Sequence, residues 1–474
     1  MSADPILILQ MHRMGDLILT MPLLVHLLRH WPAHEVWVAA EPHFFQGLMP
    51  LLPNVVFFPP SHCAALAERH YEIAINLSSR PQALDCQARL KAGRKLGPEF
   101  LSGSRPSDGM SNQHIRGFWQ LYRAALTQNN WNNAFHWADL HLLDLFEHPN
   151  LSRVPHPRPQ AAKSGRIGLV LGASEAAKRP SVDFWARLAR RLAAEGAVPF
   201  LLGGSAEQEL GREVARKADL HGADLCGRLS IKDLAALMRT LDLCITPDTG
   251  PMHLADLVGV PVLNLSMGPV HARETGPTSP GQYVLRAAMS CVGCWQCHRS
   301  QLYCKQAFTA SGVAALVLSL LRGTGEPYVP PGLALSRTGR DSLGLHSLER
   351  LGIATEVSCR PLLEDFWQAV FLFLYDPTQN ALVTQRLNRL RSTFPNVVRN
   401  IASGLATLCS ICAQHLKAPN SRLSGDFWRS QSPSIRLFSG YIHMQLQNGG
   451  YTTQAWGEAL KNLDKTSVFF TNPS

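Results

Sequence analysis

Three short segments put polar side chains just past an apolar run and just before a helical pattern, and each side chain type suggests a task. In Gln10-Met11-His12-Arg13-Met14-Gly15-Asp16, Asp16 offers a carboxylate able to take a proton from a hydroxyl. Arg13 adds a cation, and Gly15 lets the backbone approach a ligand closely. Asp16 suits equally well the cap of the helix that follows. In Gly172-Ala173-Ser174-Glu175-Ala176-Ala177-Lys178-Arg179-Pro180, the backbone donors and dipole of a starting helix favour an anion. The Ser174 hydroxyl and the charges of Lys178 and Arg179 could hold a diphosphate there, and a solvated basic turn is the plain alternative. The Walker spacing of glycines and lysine is absent. The third and most specific segment is Thr246-Pro247-Asp248-Thr249-Gly250-Pro251-Met252-His253. Thr249 and Gly250 can donate to phosphate, Asp248 can accept from sugar hydroxyls, and His253 falls on the first helical turn beside them.

Cysteine chemistry is a separate question. Cys291, Cys294, Cys297 and Cys304 have spacings open to zinc or an iron–sulfur centre. No Cys-Pro follows and the last gap is long, so the expectation is a loop of free thiols with no metal. Cys409 and Cys412 lie three apart in an apolar helical stretch and are expected in a core. Neither an Asp-x-Asp pair nor a His-Glu-x-x-His motif occurs. No cofactor is expected.

The elements that would position these turns alternate in type. Ile6–Gln10, Val36–Ala40, Val55–Phe58 and Ile73–Leu77 read as strands, with a helix over Leu17–Arg29 that Pro22 starts near Thr20 or kinks. A second series follows: strands at Ile167–Leu171, Val198–Leu202, Leu243–Thr246 and Val260–Leu265, and helices at Val182–Ala194, Glu207–Lys217, from Ser230 to about Thr240, Met252–Leu257 and Ser311–Arg322. This is the rhythm of β-α-β units on parallel sheets. The Pro-rich stretch from 149 to 163 and the Gly- and Pro-rich stretch Gly323–Gly344 read as linkers, and Glu99–Arg116 as an exposed loop. Beyond Gly344 the β-α rhythm is lost, and Pro361–Tyr375, Ala381–Phe394, Val397–Lys417 and Phe427–Gln447 read as helices, so the region is expected to be mostly α. The domain reading is therefore 1–160, 161–325, and a separable helical extension over 345–474, beginning after about Gly332. Within that extension Phe366, Trp367, Phe371, Phe373 and Leu374 cover most of a helix circumference, which requires a core or a partner.

A chain of 474 residues has room for about two to three domains. With 46% hydrophobic and 17% charged residues it is neither disordered nor fibrous. Lys and Arg number 45 against 35 Asp and Glu, a net +10 that suits an anionic partner. Residues 331–474 hold fourteen of the basic and nine of the acidic residues, about half the excess. No apolar run approaches the ~20 residues that span a bilayer, and no export signal opens the sequence. The eleven cysteines are expected reduced in a cytoplasmic protein. No nucleic-acid motif accompanies the basic tail.

Taken together, the motifs resemble glycosyltransferase family 9, the ADP-heptose:lipopolysaccharide heptosyltransferases. MHRMGDLILTMPLL is similar to that family's N-terminal segment, and TPDTGPMHLADLVGVPVLNLSMGPVHARETGP to its nucleotide-sugar segment; the C-x2-C after VLRA also recurs there. The resemblance spans about Ile6 to Leu321. It implies an α/β GT-B fold, two Rossmann-like domains facing a cleft, with the acceptor mainly on the first and the nucleotide-sugar mainly on the second. It implies inverting, metal-independent transfer from a nucleotide-diphosphate donor to a lipopolysaccharide-core acceptor, with peripheral contact at the inner membrane surface. By motif position Asp16 resembles the general base, with Arg13 and Gly15 on the acceptor side. Lys178 resembles the residue that meets the leaving diphosphate, and Ser174, Asp248, Thr249, Gly250 and His253 the donor site. Either Glu207 or Glu209 resembles the acid near the nucleoside. Two departures, Val270-His271 and Asp256, fall near the donor side and leave the sugar or nucleotide open to change.

Overall fold

A computed structural model describes residues 3–51, 54–101, 112–126, 132–146, 164–291, 294–297, 299–323, 325–352, 358–417 and 422–471. The expected linker at 149–163 and most of the expected loop at 99–116 lie outside these residues. Two units emerge: Met1–Arg94 with His136–Ala354, and Lys95–Phe135 with Thr355–Ser474.

The first unit carries two α/β sheets. In the first, β1 (Ile6–Leu9), β2 (Val36–Ala39), β3 (Val55–Phe58) and β4 (His70–Asn76) run parallel in the order β3-β2-β1-β4. Ile6, Leu7, Ile8 and Leu9 are all fully buried, as a parallel strand covered on both faces requires. The helical stretch after β1 breaks at Thr20 into Met14–Leu19 and Met21–His30, with Pro22 in the first turn of the second helix. The break is tied down: Gln10 Nε2 donates to Thr20 Oγ1 (3.2 Å), and Thr20 Oγ1 donates to the Asp16 carbonyl (2.9 Å). β5 (Lys91–Phe100) carries the chain out of this unit, and β6 (Gln113–Arg116) pairs with it antiparallel.

The second sheet comprises β7 (Arg166–Val170), β8 (Val198–Leu202), β9 (Leu243–Pro247), β10 (Val262–Leu265), β11 (Tyr283–Ala287), β12 (Leu333–Arg340) and β13 (His346–Arg350), ordered β13-β12-β11-β10-β9-β7-β8. Its last three members correct the sequence reading. Gly323–Gly344 is not simply a linker: Leu333–Arg340 pairs antiparallel with β11 and turns through Asp341–Leu345 into β13. The polar residues that suggested a linker belong in part to a hairpin at the edge of this sheet, in which Ser336 and Thr338 are buried and Arg337 is exposed. Gly344 takes φ 77° in that turn.

The hairpin is also locked inward. Arg340 Nη1 donates to Asp139 Oδ1 at 3.0 Å, and the His346 N–H to Asp139 Oδ2 at 2.7 Å. His136 and His346 pack in a tilted pair with ring centroids 4.5 Å apart and planes at 41°. His136 is satisfied as a neutral ring: Nε2 donates to the Gly276 carbonyl (3.0 Å) and Nδ1 accepts from Ala138 N (3.1 Å).

The second unit is helical apart from β6 and the end of β5, and it also moves an expected boundary. The expected extension over 345–474 is not an independent appendage: its start, His346–Arg350, is β13 of the first unit, and Thr355–Ser474 forms one compact unit with Lys95–Phe135. Phe371 of helix Cys359–Tyr375 meets Tyr122 edge-on at 4.5 Å, and Tyr441 of helix Arg436–Asn448 lies 5.5 Å from Phe118. Phe366, Trp367 and Phe371 are fully buried, Trp367 stacks on Phe438 at 5.3 Å, and Phe373 packs edge-on against Phe469. The aromatic helix face is therefore core. Asn448 extends the β6 edge, accepting from Ile115 N (2.7 Å) and donating to Ile115 O (2.9 Å). Cys412 is buried and Cys409 half-buried on helix Pro395–His415.

Candidate functional site

The three motifs converge within the first unit. Helix Met14–Leu19, after β1, packs its N-terminal turn against that of helix Gly250–Leu257, after β9. Glycine makes the approach possible: a Cβ at Gly15 would lie 3.0 Å from His253 Cδ2, and one at Gly250 would lie 2.8 Å from Met14 Cε. Asp16 Oδ2 accepts from Arg13 N at 3.2 Å, so the carboxylate does cap its helix. It is also half-exposed and within electrostatic reach of Asp248 and His253. The capping contact leaves the other carboxylate oxygen, Oδ1, outside that bond. Arg13 is exposed on the rim.

Lys178 approaches from the end of β7. It is 6% exposed, with Nζ 3.7 Å from Asp248 Oδ2 and 3.6 Å from Glu175 Oε1. Its turn is braced by Gly268, at φ 78°, where any side chain would strike the Ala177 carbonyl. Burial pushes the Asp248 carboxyl up, and the Lys178 ammonium works against that shift. Burial pulls His253 below its ordinary value, while Asp248, Asp256 and Asp16 act the other way. The result is a partly desolvated cluster of one ammonium, two carboxylates and a neutral imidazole, groups suited to a diphosphate and a hydroxylated sugar. Thr249 caps its helix in extended geometry, with no side-chain bond to the turn.

Other expected residues fall differently. Helix Val182–Ala194 is capped by its own Ser181, whose Oγ accepts from Phe184 N at 3.2 Å. An anion in this turn would therefore depend on Lys178 more than on the helix end. Ser174 is exposed. Of the two acids, Glu207 lies against Gly172, where a Cβ would come within 2.6 Å of its Oε1, and accepts from Gly204 N at 2.9 Å. Glu209 points out to Arg212 at 2.8 Å and is 84% exposed, so only Glu207 borders the β7 turn. Asp256, a departure expected near the donor side, is buried and turned inward. It accepts from Thr278 N (2.7 Å), Thr278 Oγ1 (2.8 Å), Ser279 N (3.1 Å) and Gln282 Nε2 (3.0 Å). It ties down a loop.

The reading from sequence missed Glu274, Thr275 and Trp295. Thr275 Oγ1 donates to Asp248 Oδ2 at 3.5 Å, and Trp295 lies over the Lys178 ammonium at 5.5 Å. Cys291, Cys294, Cys297 and Cys304 are half-buried free thiols. Burial pushes the Cys294 thiol up, with Cys297, Cys304 and Cys291 adding to the shift. Among the described residues no three His, Cys, Asp or Glu side chains gather closely enough to hold a metal ion.

The model of glycosyltransferase family 9 (heptosyltransferase) matches residues 121–302. Over that stretch, a little over a third of the chain, the protein is similar to glycosyltransferase family 9. Similar family proteins include lipooligosaccharide heptosyltransferase 2 of Campylobacter jejuni, 26% identical over 39% of this chain and 58% of that protein. Lipopolysaccharide heptosyltransferase 1 of Pseudomonas aeruginosa is 33% identical over 23% of this chain and 31% of its own. The lipopolysaccharide core heptosyltransferase OpsX of Haemophilus influenzae is 22% identical over 54% of this chain and 77% of its own. The chain thus spans 58% and 45% of the length of the two Campylobacter jejuni relatives it matches. The crystal structure of the glycosyl transferase family 9 from Veillonella parvula shares the fold, with TM-score 0.51 and 18% identity over 68% of this chain and 99% of that one. The expected α/β architecture of two Rossmann-like sheets is the one observed.

Proposed function

We propose that this protein is a family 9 member, an inverting, metal-independent glycosyltransferase that moves a heptose or related sugar from a nucleotide-diphosphate donor to a lipopolysaccharide-core or other surface-glycan acceptor. ADP-heptose is the donor this reading puts first. The observation that carries it is the meeting of the β1 turn, the β7 turn and the β9 turn, which brings Asp16, Lys178, Asp248 and His253 into one neighbourhood. Asp16 takes the proton from the acceptor hydroxyl as its oxygen attacks the anomeric carbon from the face opposite the leaving group. The bond to the diphosphate breaks, and the charge that grows there is met by Lys178 and backbone donors of the Thr249–Gly250 turn. Asp248 and His253 orient sugar hydroxyls, and Glu207 serves the nucleoside side.

The names of the relatives, heptosyltransferases of lipooligosaccharide or of the lipopolysaccharide core, support the substrate class. The net charge of +10 favours a phosphorylated acceptor at the cytoplasmic membrane face. Among the described residues no helix is long and apolar enough to cross a membrane, and the proposed contact is peripheral. ADP-, GDP- and UDP-sugars, each offered with deacylated core oligosaccharide and followed by nucleotide release, test this reading. Release with ADP-heptose, unchanged by EDTA, is expected. Release with a GDP- or UDP-sugar alone would reassign the donor. Activity abolished by EDTA and restored by magnesium or manganese would overturn the metal-free mechanism.

A further inference from the structure

We propose that Trp295, carried between Cys294 and Cys297 of the cysteine loop, is a positioning residue that holds the Lys178 ammonium at the diphosphate site; this rests on the reading of Lys178 given above. Lys178 is 6% exposed, yet both of its carboxylate neighbours stand beyond direct hydrogen-bond range, Glu175 at 3.6 Å and Asp248 at 3.7 Å. The remaining close partner is the indole face of Trp295, 5.5 Å from Nζ to the ring centroid. A lysine is a point charge on a flexible stem. An aromatic face attracts it without supplying an acceptor that would compete with phosphate.

The indole is itself fixed. Its Nε1 donates to Oε2 of Glu274 at 2.8 Å, and Glu274 is fully buried. Trp137 stacks beside it at 5.9 Å and 28°. The next residue, Thr275, donates to Asp248, which faces Lys178 in turn. Helix Ala272–Thr275 therefore closes a ring: Glu274 holds Trp295, Trp295 faces Lys178, Lys178 faces Asp248, and Asp248 returns to Thr275. In this arrangement the ammonium can turn from Asp248 to a bound diphosphate while the indole keeps it in place. The ring also gives the cysteine loop a task that needs no metal, namely carrying Trp295 to the site.

The test is ADP binding by calorimetry to the full chain and to Lys178→Ala, Trp295→Leu, Trp295→Phe and the Lys178→Ala/Trp295→Leu double variant, each checked by a cooperative melt. Trp295→Leu should weaken ADP roughly 3- to 30-fold, the range of a desolvated cation–π contact. Trp295→Phe, which keeps an aromatic face, should recover part of the loss. The double variant should bind no more weakly than Lys178→Ala alone, since the indole acts through the lysine. Wild-type affinity in Trp295→Leu, or losses that multiply in the double variant, would overturn the proposal. So would a Trp295→Phe variant that folds and binds no better than Trp295→Leu. If Trp295→Leu fails to fold, Trp295→Phe decides: affinity as low as that of Lys178→Ala rejects the cation–π role, and an intermediate affinity upholds it. Unchanged ADP binding in Lys178→Ala would instead remove the diphosphate role of Lys178. Failure of ADP, GDP and UDP alike to bind the wild type would overturn the reading of the site and this inference with it.

Discussion

The first unit gathers charge at the ends of its strands, whereas the second gathers aromatic rings in its interior. In the first, Asp16, Lys178 and Asp248 come from turns far apart in sequence, but each turn follows a buried parallel strand whose carboxyl end leads to a common place. In the second, Phe118, Trp119 and Tyr122 from one segment meet Tyr441, Tyr375 and Phe371 from another more than two hundred residues later. The contrast shows two ways a distant contact arises. A strand-end site is dictated by topology, and a strand followed by a polar turn announces it locally. A core shared between an inserted segment and a C-terminal region has no such local sign.

The largest test of this contrast is truncation. A chain ended at Gly332 loses the β12–β13 hairpin, with Arg340 and His346, and leaves Trp119 and Tyr122 without Phe371. It should not give a soluble protein with a cooperative melt. A well-folded, active truncated chain would show that the helical unit is separable after all. Next comes Arg340→Leu, which leaves the buried Asp139 carboxylate without its cation. Breaking such a pair costs about 3–5 kcal/mol, and urea unfolding of the full chain should show a loss of that order.

These outcomes also bear on what the sequence could reveal. The strand at Ile6–Leu9 and the helix at Val182–Ala194 were readable because burial on both faces and a capped amphipathic pattern are local properties. Asp16, Lys178, Asp248 and His253 were readable because each stands in a turn between such elements. Leu333–Arg340 was not, since a short strand that ends in Ser336-Arg337-Thr338-Gly339-Arg340 after a Gly- and Pro-rich stretch resembles a linker. Trp295 was hidden among cysteines that drew attention to metal chemistry. Asp256 was visible as a departure on the His253 helix, but only the folded loop reveals that its oxygens are satisfied from within.

A smaller effect should follow pH. Burial takes His136 down to about 3 and His346 well below its ordinary value. The unfolded chain therefore binds protons that the folded chain refuses as pH falls below about 6.5, and stability drops through that window. Between pH 7 and pH 5 His136 should cost on the order of 1–2 kcal/mol, and His346 adds a loss of the same sign. Burial raises the Asp139 carboxyl, which opposes the loss, although Arg340 limits that rise. Thermal melts of wild type and His346→Gln across this range measure the effect, and the variant should show the shallower decline. The smallest contrast lies between two neighbouring acids. Glu207→Ala should weaken nucleoside diphosphate binding about tenfold, the worth of one charge-assisted hydrogen bond. Glu209→Ala, at an exposed ion pair, should leave it unchanged.

The central claim is that the β1 turn supplies the base and the β7 and β9 turns hold the donor. Asp16→Asn separates these tasks in one protein, because the amide can still cap the helix but cannot take a proton. Transfer measured at saturating donor and acceptor should fall by about 10²–10⁴, with nucleoside diphosphate affinity within a factor of about two of wild type. Turnover near the wild-type rate would contradict the account.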